Sequence, residues 1–397
     1  MNSLRINLFT CGDSQDVNTY SNVPYYFRRA LLDHGCEVNP IDLTPSESNC
    51  YRCFCNAVTF KDRIASVLLS SDFSTEVFRT KTNNLLTDRK LRKSALHYSH
   101  ADLNVFMTFT FSSRRYVDIP VIHYADRTYE HHLLEKGCIP SRRDHVFIQR
   151  DRENVDSADL VLTMNQACCD FIRNRYKPRR LLCLQGGINT DVRQVDVDGL
   201  IAQKESNKDV LFIGRGAYSR GVDILIEAFR VFNEQQNDEF TLHIVGVTPE
   251  ELPKSCEWSS AKIRFYGYLD RNVTAQKNLY DQLMRSARLF VFPMRPGPVA
   301  GVIREAQLNC TPVVISNVPN AFERVTDDYN GVLVERLDPK EFARHMNNLI
   351  LDVVRWRRLA RAAHDGIKHS TWSKTVENFL QIVTETGLVG HPRACHY

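Results

Sequence analysis

Short apolar runs alternate with longer stretches of helical period along most of this chain, the pattern of parallel sheets covered by helices on both faces. In the first half the runs predict strands at Leu4–Phe9, Glu37–Ile41, Leu103–Thr108, Pro120–Tyr124, Leu160–Thr163 and Leu181–Leu184. Helices are predicted at Tyr25–His34, closed by Gly35, and around Thr128–Lys136 and Phe147–Val155, with Asn165 as the N-cap of another. Gly12–Asn22 reads as a long polar loop, and residues 45–100 are poorly patterned, with one helix expected over Val58–Leu69. In the second half, strands are predicted at Val210–Ile213, Thr241–Val245, Ile263–Tyr266, Leu289–Phe292, Val313–Ile315 and Gly331–Val334, with helices between them. Two more helices are expected at Pro339–Asp352 and, amphipathic, at Thr371–Thr384.

Between the halves, QGGINTDVRQVDVDG has two glycines, few apolar residues and no period, and reads as a linker. The expected divisions are a first domain over residues 1–187, a linker over 188–207, a second domain over 208–370, and a C-terminal helix and tail over 371–397. A chain of 397 residues is long enough for two domains with separate cores. An apolar share of 43% and a charged share of 25% are ordinary for a soluble globular protein.

A formal net charge of +4 is too small to imply nucleic acid as a partner. Local basic clusters at Arg89–Lys93, Arg114–Arg115, Arg142–Arg143 and Arg173–Arg180 are read first as solvated faces; attraction to anionic lipid or an anionic acceptor is the alternative. The N-terminus alternates into a strand and lacks the pattern of a signal peptide, and no run of eighteen apolar residues occurs, so a cytoplasmic location is expected. Twelve scattered cysteines fit reduced thiols there. Cys50 and Cys53 have zinc-ligand spacing and Cys55 follows, but nothing nearby completes four ligands; free thiols are the default and no metal is expected. The Asp196/Asp198 pair lies in the linker, not after a strand, which counts against a metal there.

Two segments carry chemistry. Arg288–Ser316 runs from a buried strand into the Pro/Gly loop PMRPGPVAG, then a helix expected from about Ala300 with Glu305 in its early turns, then a second strand. Strand, glycine loop and helix N-terminus form an anion site in α/β domains, since unpaired N–H groups face the ligand. Gly301 would let the backbone approach a phosphate beside Val302, and Glu305 would accept from sugar hydroxyls; an ordinary βαβ unit with a solvent-facing Glu is the plain alternative. Lys208–Phe229 repeats the arrangement around Gly214, Arg215, Gly216, Arg220 and Gly221, and two arginines among glycines can clamp a diphosphate. Position 219 is Ser, so the turn is not the dinucleotide fingerprint, and no G-K-[ST] phosphate loop is present.

The GR…RG…L…AF turn, followed some eighty residues later by FP…G…EA…C-x-PVV, resembles the donor half of retaining glycosyltransferases of family 4, of the GT-B type, over roughly Asn189–Ile382. The resemblance implies a GT-B fold: two Rossmann-like β/α/β domains facing a central cleft, with the first on the acceptor side, the second holding the nucleotide sugar, and the C-terminal helix crossing back to the first. It implies that Arg215 and Arg220 hold the donor diphosphate and that Glu305 grips the ribose. The first Glu of the family's E-x7-E motif falls on Gly297, a departure at the residue that normally contacts the donor sugar. His123, at the end of a predicted strand, resembles the family's active-site histidine; a buried, hydrogen-bonded His is the alternative reading. Asp126 and Arg127 are placed to orient it or to bind acceptor. Tyr268 is the candidate for the base, against a core-edge tyrosine, and Gly12 lies where the family has its first-domain glycine turn. Adjacent His131 and His132 cannot share a metal and read as surface residues.

The function expected is metal-independent retaining transfer of a sugar from a nucleotide-diphosphate donor, UDP or GDP above others, to a glycan, lipid-linked or small-molecule acceptor in cell-surface polysaccharide or glycolipid synthesis. No separate cofactor and no nucleic acid enter that expectation. Peripheral contact with the inner face of a membrane, through the basic clusters, is allowed by it. The alternatives are a catalytically silent nucleotide-binding scaffold, motivated by Gly297, and a GT-B sugar-nucleotide epimerase.

Overall fold

The computed structural model describes residues 3–45, 57, 80–191, 196–253, 256, 258, 262–297 and 299–389. The helix expected over Val58–Leu69 and the Cys50, Cys53, Cys55 cluster lie outside the described residues. Among the described residues twelve strands follow in chain order: β1 Arg5–Thr10, β2 Glu37–Asp42, β3 Leu103–Phe106, β4 Val121–Ala125, β5 Leu160–Thr163, β6 Leu181–Cys183, β7 Asp209–Ile213, β8 Thr241–Val245, β9 Ile263–Gly267, β10 Leu289–Phe292, β11 Val313–Ser316 and β12 Gly331–Val334. The helices used below are α1 Val23–Asp33, α2 Lys81–His97, α3 Tyr129–Glu135, α4 Arg142–Ser157, α5 Gln166–Arg175, α6 Val197–Ser206, α7 Val222–Glu234, α8 Thr274–Ser286, α9 Val302–Leu308, α10 Pro339–Leu351, α11 Val353–Asp365 and α12 Trp372–Glu385.

The strands form two six-stranded sheets, ordered β2-β1-β3-β4-β5-β6 and β12-β11-β10-β7-β8-β9. All pairings within them are parallel. Burial on both faces explains their continuous apolar sequences: β3, β4, β5, β10 and β11 are buried at every residue. Each sheet therefore has a point where the strand order reverses, between β1 and β3 in the first and between β7 and β10 in the second. Ligands of open α/β sheets bind at such points, beyond the carboxyl ends of the strands. The Gly214–Gly221 and Pro293–Gly301 segments are the two loops at the second reversal.

Three helices depart from the sequence reading. The buried face of α2 carries Asn83, Asn84 and Thr87 before Leu91 and Ala95, so its apolar stripe is too short to see. Part of the expected linker is α6, whose inner face pairs Leu200 and Ile201 with a lysine, Lys204. There Asp196 N-caps α6 and Asp198 pairs with Arg361, so neither is arranged for a metal. Helix α11, not singled out in the sequence, buries Trp356, Leu359, Ala360 and Ala363. Helix α12 packs on the first domain: Trp372, Val376, Phe379 and Val383 belong to its core, and the Phe379 and Phe27 rings lie 5.4 Å apart.

Candidate functional site

The two loops at the second reversal touch. Gly221 starts α7 with φ 68°, and a Cβ there would lie 1.8 Å from the Pro293 carbonyl oxygen. Arg295 N donates to Ser219 O at 3.1 Å, and the Arg295 guanidinium pairs with Asp223 at 2.7 Å. This crossing fixes where the arginines of the first loop stand. Arg215 lies over the Tyr268 ring, 5.7 Å from its centroid, on the β8–β9 side. Arg220 lies over Phe292 at the same distance, on the β10 side. Burial pulls Arg220 below the usual arginine range, and the charge of Arg127, from the first domain, pulls it further.

Gly214 completes the β7 end, donating its N–H to Val245 O at 3.0 Å. Gly301 has φ −65° as the N-cap of α9, open to any residue, and the nearest atom to a Cβ there is Asn189 Nδ2 at 3.9 Å; it leaves space, without a special backbone conformation. Val302 is the first residue of α9, so that helix begins two residues later than expected. Glu305 does not present its carboxylate openly. The residue is 5% exposed, and its Oε2 accepts from Tyr280 Oη at 2.9 Å and Arg271 Nη1 at 3.4 Å. Burial raises its pKa, with Arg271 and Tyr280 opposing.

His123 is fully buried, between the rings of Phe106 and Phe109. Its Nδ1 lies 2.6 Å from Thr108 O, a carbonyl that can only accept, so Nδ1 carries the proton and Nε2 a lone pair. That Nε2 is buried and has no partner among the described residues. Burial holds the ring neutral by lowering its pKa to about 4. The alternative of a buried, hydrogen-bonded histidine therefore describes its setting. Next to it, Arg127 Nε donates to Asp126 Oδ2 at 2.9 Å and Arg127 Nη1 to Glu135 at 3.3 Å, while Tyr20 Oη donates to Asp126 Oδ1 at 2.7 Å. His131 is buried beneath Phe171 and not on the surface, a correction; the α3 N-terminus turns it inward, and its pKa is lowered to about 4 by burial and Arg127.

Gly12 has φ 110° and donates its N–H to Asp42 at 2.8 Å, anchoring the polar loop that follows β1. That loop crosses to the second domain. Tyr268, 52% exposed and so no core-edge residue, donates its hydroxyl to Asn18 Oδ1 at 2.8 Å. Asn18 Nδ2 donates to Asp270 at 2.7 Å, and Asn272 Nδ2 to Asp16 at 2.7 Å. Further along the boundary, Ala167 N at the start of α5 donates to Glu323 at 2.8 Å, and Arg304 donates to Gly186 O. Asp16, Asn18, Arg271 and Arg304 were not picked out in the sequence. Arg304 is a buried cation of α9, next to the buried Glu305 and close to the buried Gln307. Among the described residues, no three His, Cys, Asp or Glu side chains are grouped to hold a metal ion, and no helix is long and apolar enough to cross a membrane.

Comparison with known proteins bears on the fold and on the second half of the chain. A D-inositol 3-phosphate glycosyltransferase of Geodermatophilus obscurus is 28% identical over 281 residues, 67% of this chain and 61% of that relative. Two other curated relatives are spanned over 38% of their length. A sucrose-phosphate synthase from Thermosynechococcus elongatus superposes with a TM-score of 0.68 at 15% identity, covering 96% of this chain and 98% of that one. Anabaena HepE in complex with UDP-glucose gives 0.64 at 18% identity, over 96% and 99%. The architecture is the two-domain, Rossmann-like GT-B fold, and residues 207–352 match the family described as Glycosyl transferases group 1.

Proposed function

We propose that this protein is a retaining glycosyltransferase of family 4 that moves a sugar from a nucleotide-diphosphate donor to an acceptor hydroxyl. The observation that carries the reading is the placement of Arg215 and Arg220 on either side of the β7 end, at the strand-order reversal. Guanidinium groups at the end of one strand suit a diphosphate, which they bind through paired N–H donors. The match to a glycosyl transferase family over the same segment, and a UDP-glucose complex among the structural relatives, support UDP-sugars as the first donors to try.

In the reaction, the bond from the anomeric carbon to the diphosphate oxygen breaks and a bond to the acceptor oxygen forms on the same face of the sugar. The acceptor's proton passes to the leaving diphosphate. Arg215 and Arg220 stabilise the charge that develops there, so the step is assigned no metal; one such donor contributes on the order of 10²–10³ in rate. His123, held by Thr108 O as the Nδ1–H tautomer, offers Nε2 as an acceptor for a sugar hydroxyl. The acceptor belongs on the first-domain side, in polysaccharide, glycolipid or phosphorylated small-molecule chemistry. The last of these is suggested by the inositol-phosphate relative.

Gly297 in place of a carboxylate favours one other reading, a nucleotide-binding scaffold without turnover. A panel of UDP-, GDP- and ADP-sugars separates the two by calorimetry followed by donor hydrolysis. Binding with slow release of free sugar is expected. Binding with no hydrolysis and no transfer to any acceptor would favour the scaffold, and no binding at all would end both.

A further inference from the structure

Arg271 occupies a junction that the reaction above does not use. Its Nη1 donates to Glu305 Oε2 at 3.4 Å, while Nη2 donates to Asn189 O at 3.0 Å and to Tyr26 Oη at 3.2 Å. The guanidinium carbon lies 4.9 Å from the Tyr280 ring centroid, and Tyr280 donates to the same Glu305 oxygen. Asn189 is fixed in turn, donating to Ser21 O at 2.7 Å and accepting from Trp372 Nε1 at 2.8 Å. One buried cation therefore joins a carboxylate of the second domain to α1 and the inter-domain connection.

The two oxygens of Glu305 differ. Both donors converge on Oε2, and no described residue donates to Oε1. A carboxylate has about four acceptor positions, and those of Oε1 receive no donor from a described residue. Glu305 also lines a cavity of about 80 Å³ with Thr190, Asp191, Lys277, Asp281 and Arg285. That volume is well below the roughly 300–1,000 Å³ of a ligand pocket and too small for a whole nucleotide. Separation of the domains would break the Tyr26 contact of Arg271, while the Glu305 contact lies within the second domain.

We propose that Arg271 is a positioning residue for the ribose: it holds Glu305 by Oε2 so that Oε1 accepts a ribose hydroxyl of the donor, and through Tyr26 and Asn189 it links that grip to domain closure. The assignment rests on the donor reading given above. A vicinal diol supplies the O–H donors that Oε1 lacks, and a carboxylate already clamped on one side loses little rotamer freedom on binding. Without Arg271, Glu305 loses both the cation that opposes its burial-raised pKa and the contact that fixes its direction.

The test uses the full chain and measures affinity for UDP, GDP and ADP, each against its 2′-deoxy and 3′-deoxy forms. The wild-type protein should favour the ribonucleotide it binds by on the order of tenfold over at least one deoxy form. Arg271→Met should shrink that ratio to about twofold or less while leaving affinity for the deoxy form nearly constant, and Arg271→Lys should restore part of it. Tyr280→Phe, which deletes only the second donor to Oε2, should lower the ratio partway and serves where the arginine variant does not fold. An unchanged ratio in Arg271→Met and Tyr280→Phe would overturn the proposal. So would an Arg271→Met protein that binds both forms equally more tightly, which would make Arg271 an occluding plug. Nucleotide binding with no ribose preference in the wild type would sink this inference and leave the transferase reading standing. No nucleotide binding would remove both.

Discussion

Asn18 and Asp270 are 252 positions apart in the chain and 2.7 Å apart in the structure, joined by a hydrogen bond from the Asn18 amide across the domain boundary. The same amide accepts from Tyr268, and Asp16 accepts from Asn272, so a first-domain loop is tied to the β9–α8 loop at three points. Three consecutive non-glycine residues of the tied loop have positive φ: Tyr20 at 42°, Ser21 at 55° and Asn22 at 69°. Such conformations cost of order 1–3 kcal/mol each and persist only where surrounding contacts impose them. Here those contacts are Tyr20 Oη on Asp126 and the Asn189 amide on Ser21 O.

Removing the ties should loosen the closed arrangement without unfolding either domain. Asn18→Ala deletes two hydrogen bonds, each worth about 0.5–1.5 kcal/mol. The expected result is a larger radius of gyration by solution scattering and faster proteolysis in the loop. Ser21→Gly should do the opposite for stability, raising it by about 0.5–1 kcal/mol in thermal unfolding, because glycine accepts φ 55° without penalty. Unchanged scattering in Asn18→Ala would mean that other boundary contacts hold the domains alone.

Arg220 lends itself to a charge test. Arg220→Gln and Arg215→Ala should each weaken nucleotide-diphosphate binding by about 10–100-fold while leaving the unfolding temperature within a degree or two. Binding by the wild type should weaken with added salt, and the dependence should be shallower in both variants. Equal affinity in the two variants and the wild type, measured by calorimetry, would place the diphosphate elsewhere.

The buried histidines fix an acid limit. His123 and His131 each have pKa lowered to about 4, below an unfolded value near 6.5, both chiefly by burial. Between those values the unfolded chain binds protons that the folded chain does not, so stability rises with pH across this window and is lost as pH falls from about 6.5 to 4. His123→Asn should flatten the slope by up to about 1.4 kcal/mol per pH unit, and the remainder should follow His131. Denaturant midpoints measured from pH 4 to 7 check this; parallel curves for variant and wild type would show that His123 does not contribute.

How much of this was legible beforehand depended on whether the cause was local. Fully buried parallel strands write themselves as apolar runs, so Leu160–Thr163 or Val313–Ser316 could be found by inspection. Glycine and arginine between a strand and a helix placed Gly214–Gly221 at a sheet's carboxyl edge, where the structure has it. Helix α2 escaped because Asn83, Asn84 and Thr87 take up its inner face, and no period of apolar residues marks it. Asn18, Arg271 and Glu305 illustrate the other limit. What Glu305 touches is decided by Arg271, whose place is decided by Tyr26 and Asn189, and no spacing in the sequence encodes that chain of contacts.

The crossing of the two loops at Gly221 gives the sharpest structural prediction. Gly221 and Gly35 have similar backbone angles, φ 68° and φ 79°, so an alanine at either pays the same conformational penalty, about 1–2 kcal/mol. Their surroundings differ. Nothing lies within 4 Å of a Cβ at position 35, whereas at 221 it would stand 1.8 Å from the Pro293 carbonyl oxygen. Gly221→Ala must therefore push the Pro293 loop off the start of α7, and should cost roughly 3 kcal/mol or more in unfolding against about 1 for Gly35→Ala. Because the same displacement moves Arg220, only Gly221→Ala should also lose nucleotide affinity. Equal stabilities for the two variants would show that the loops do not bear on each other, and with that the placement of Arg220 over β10 would lose its support.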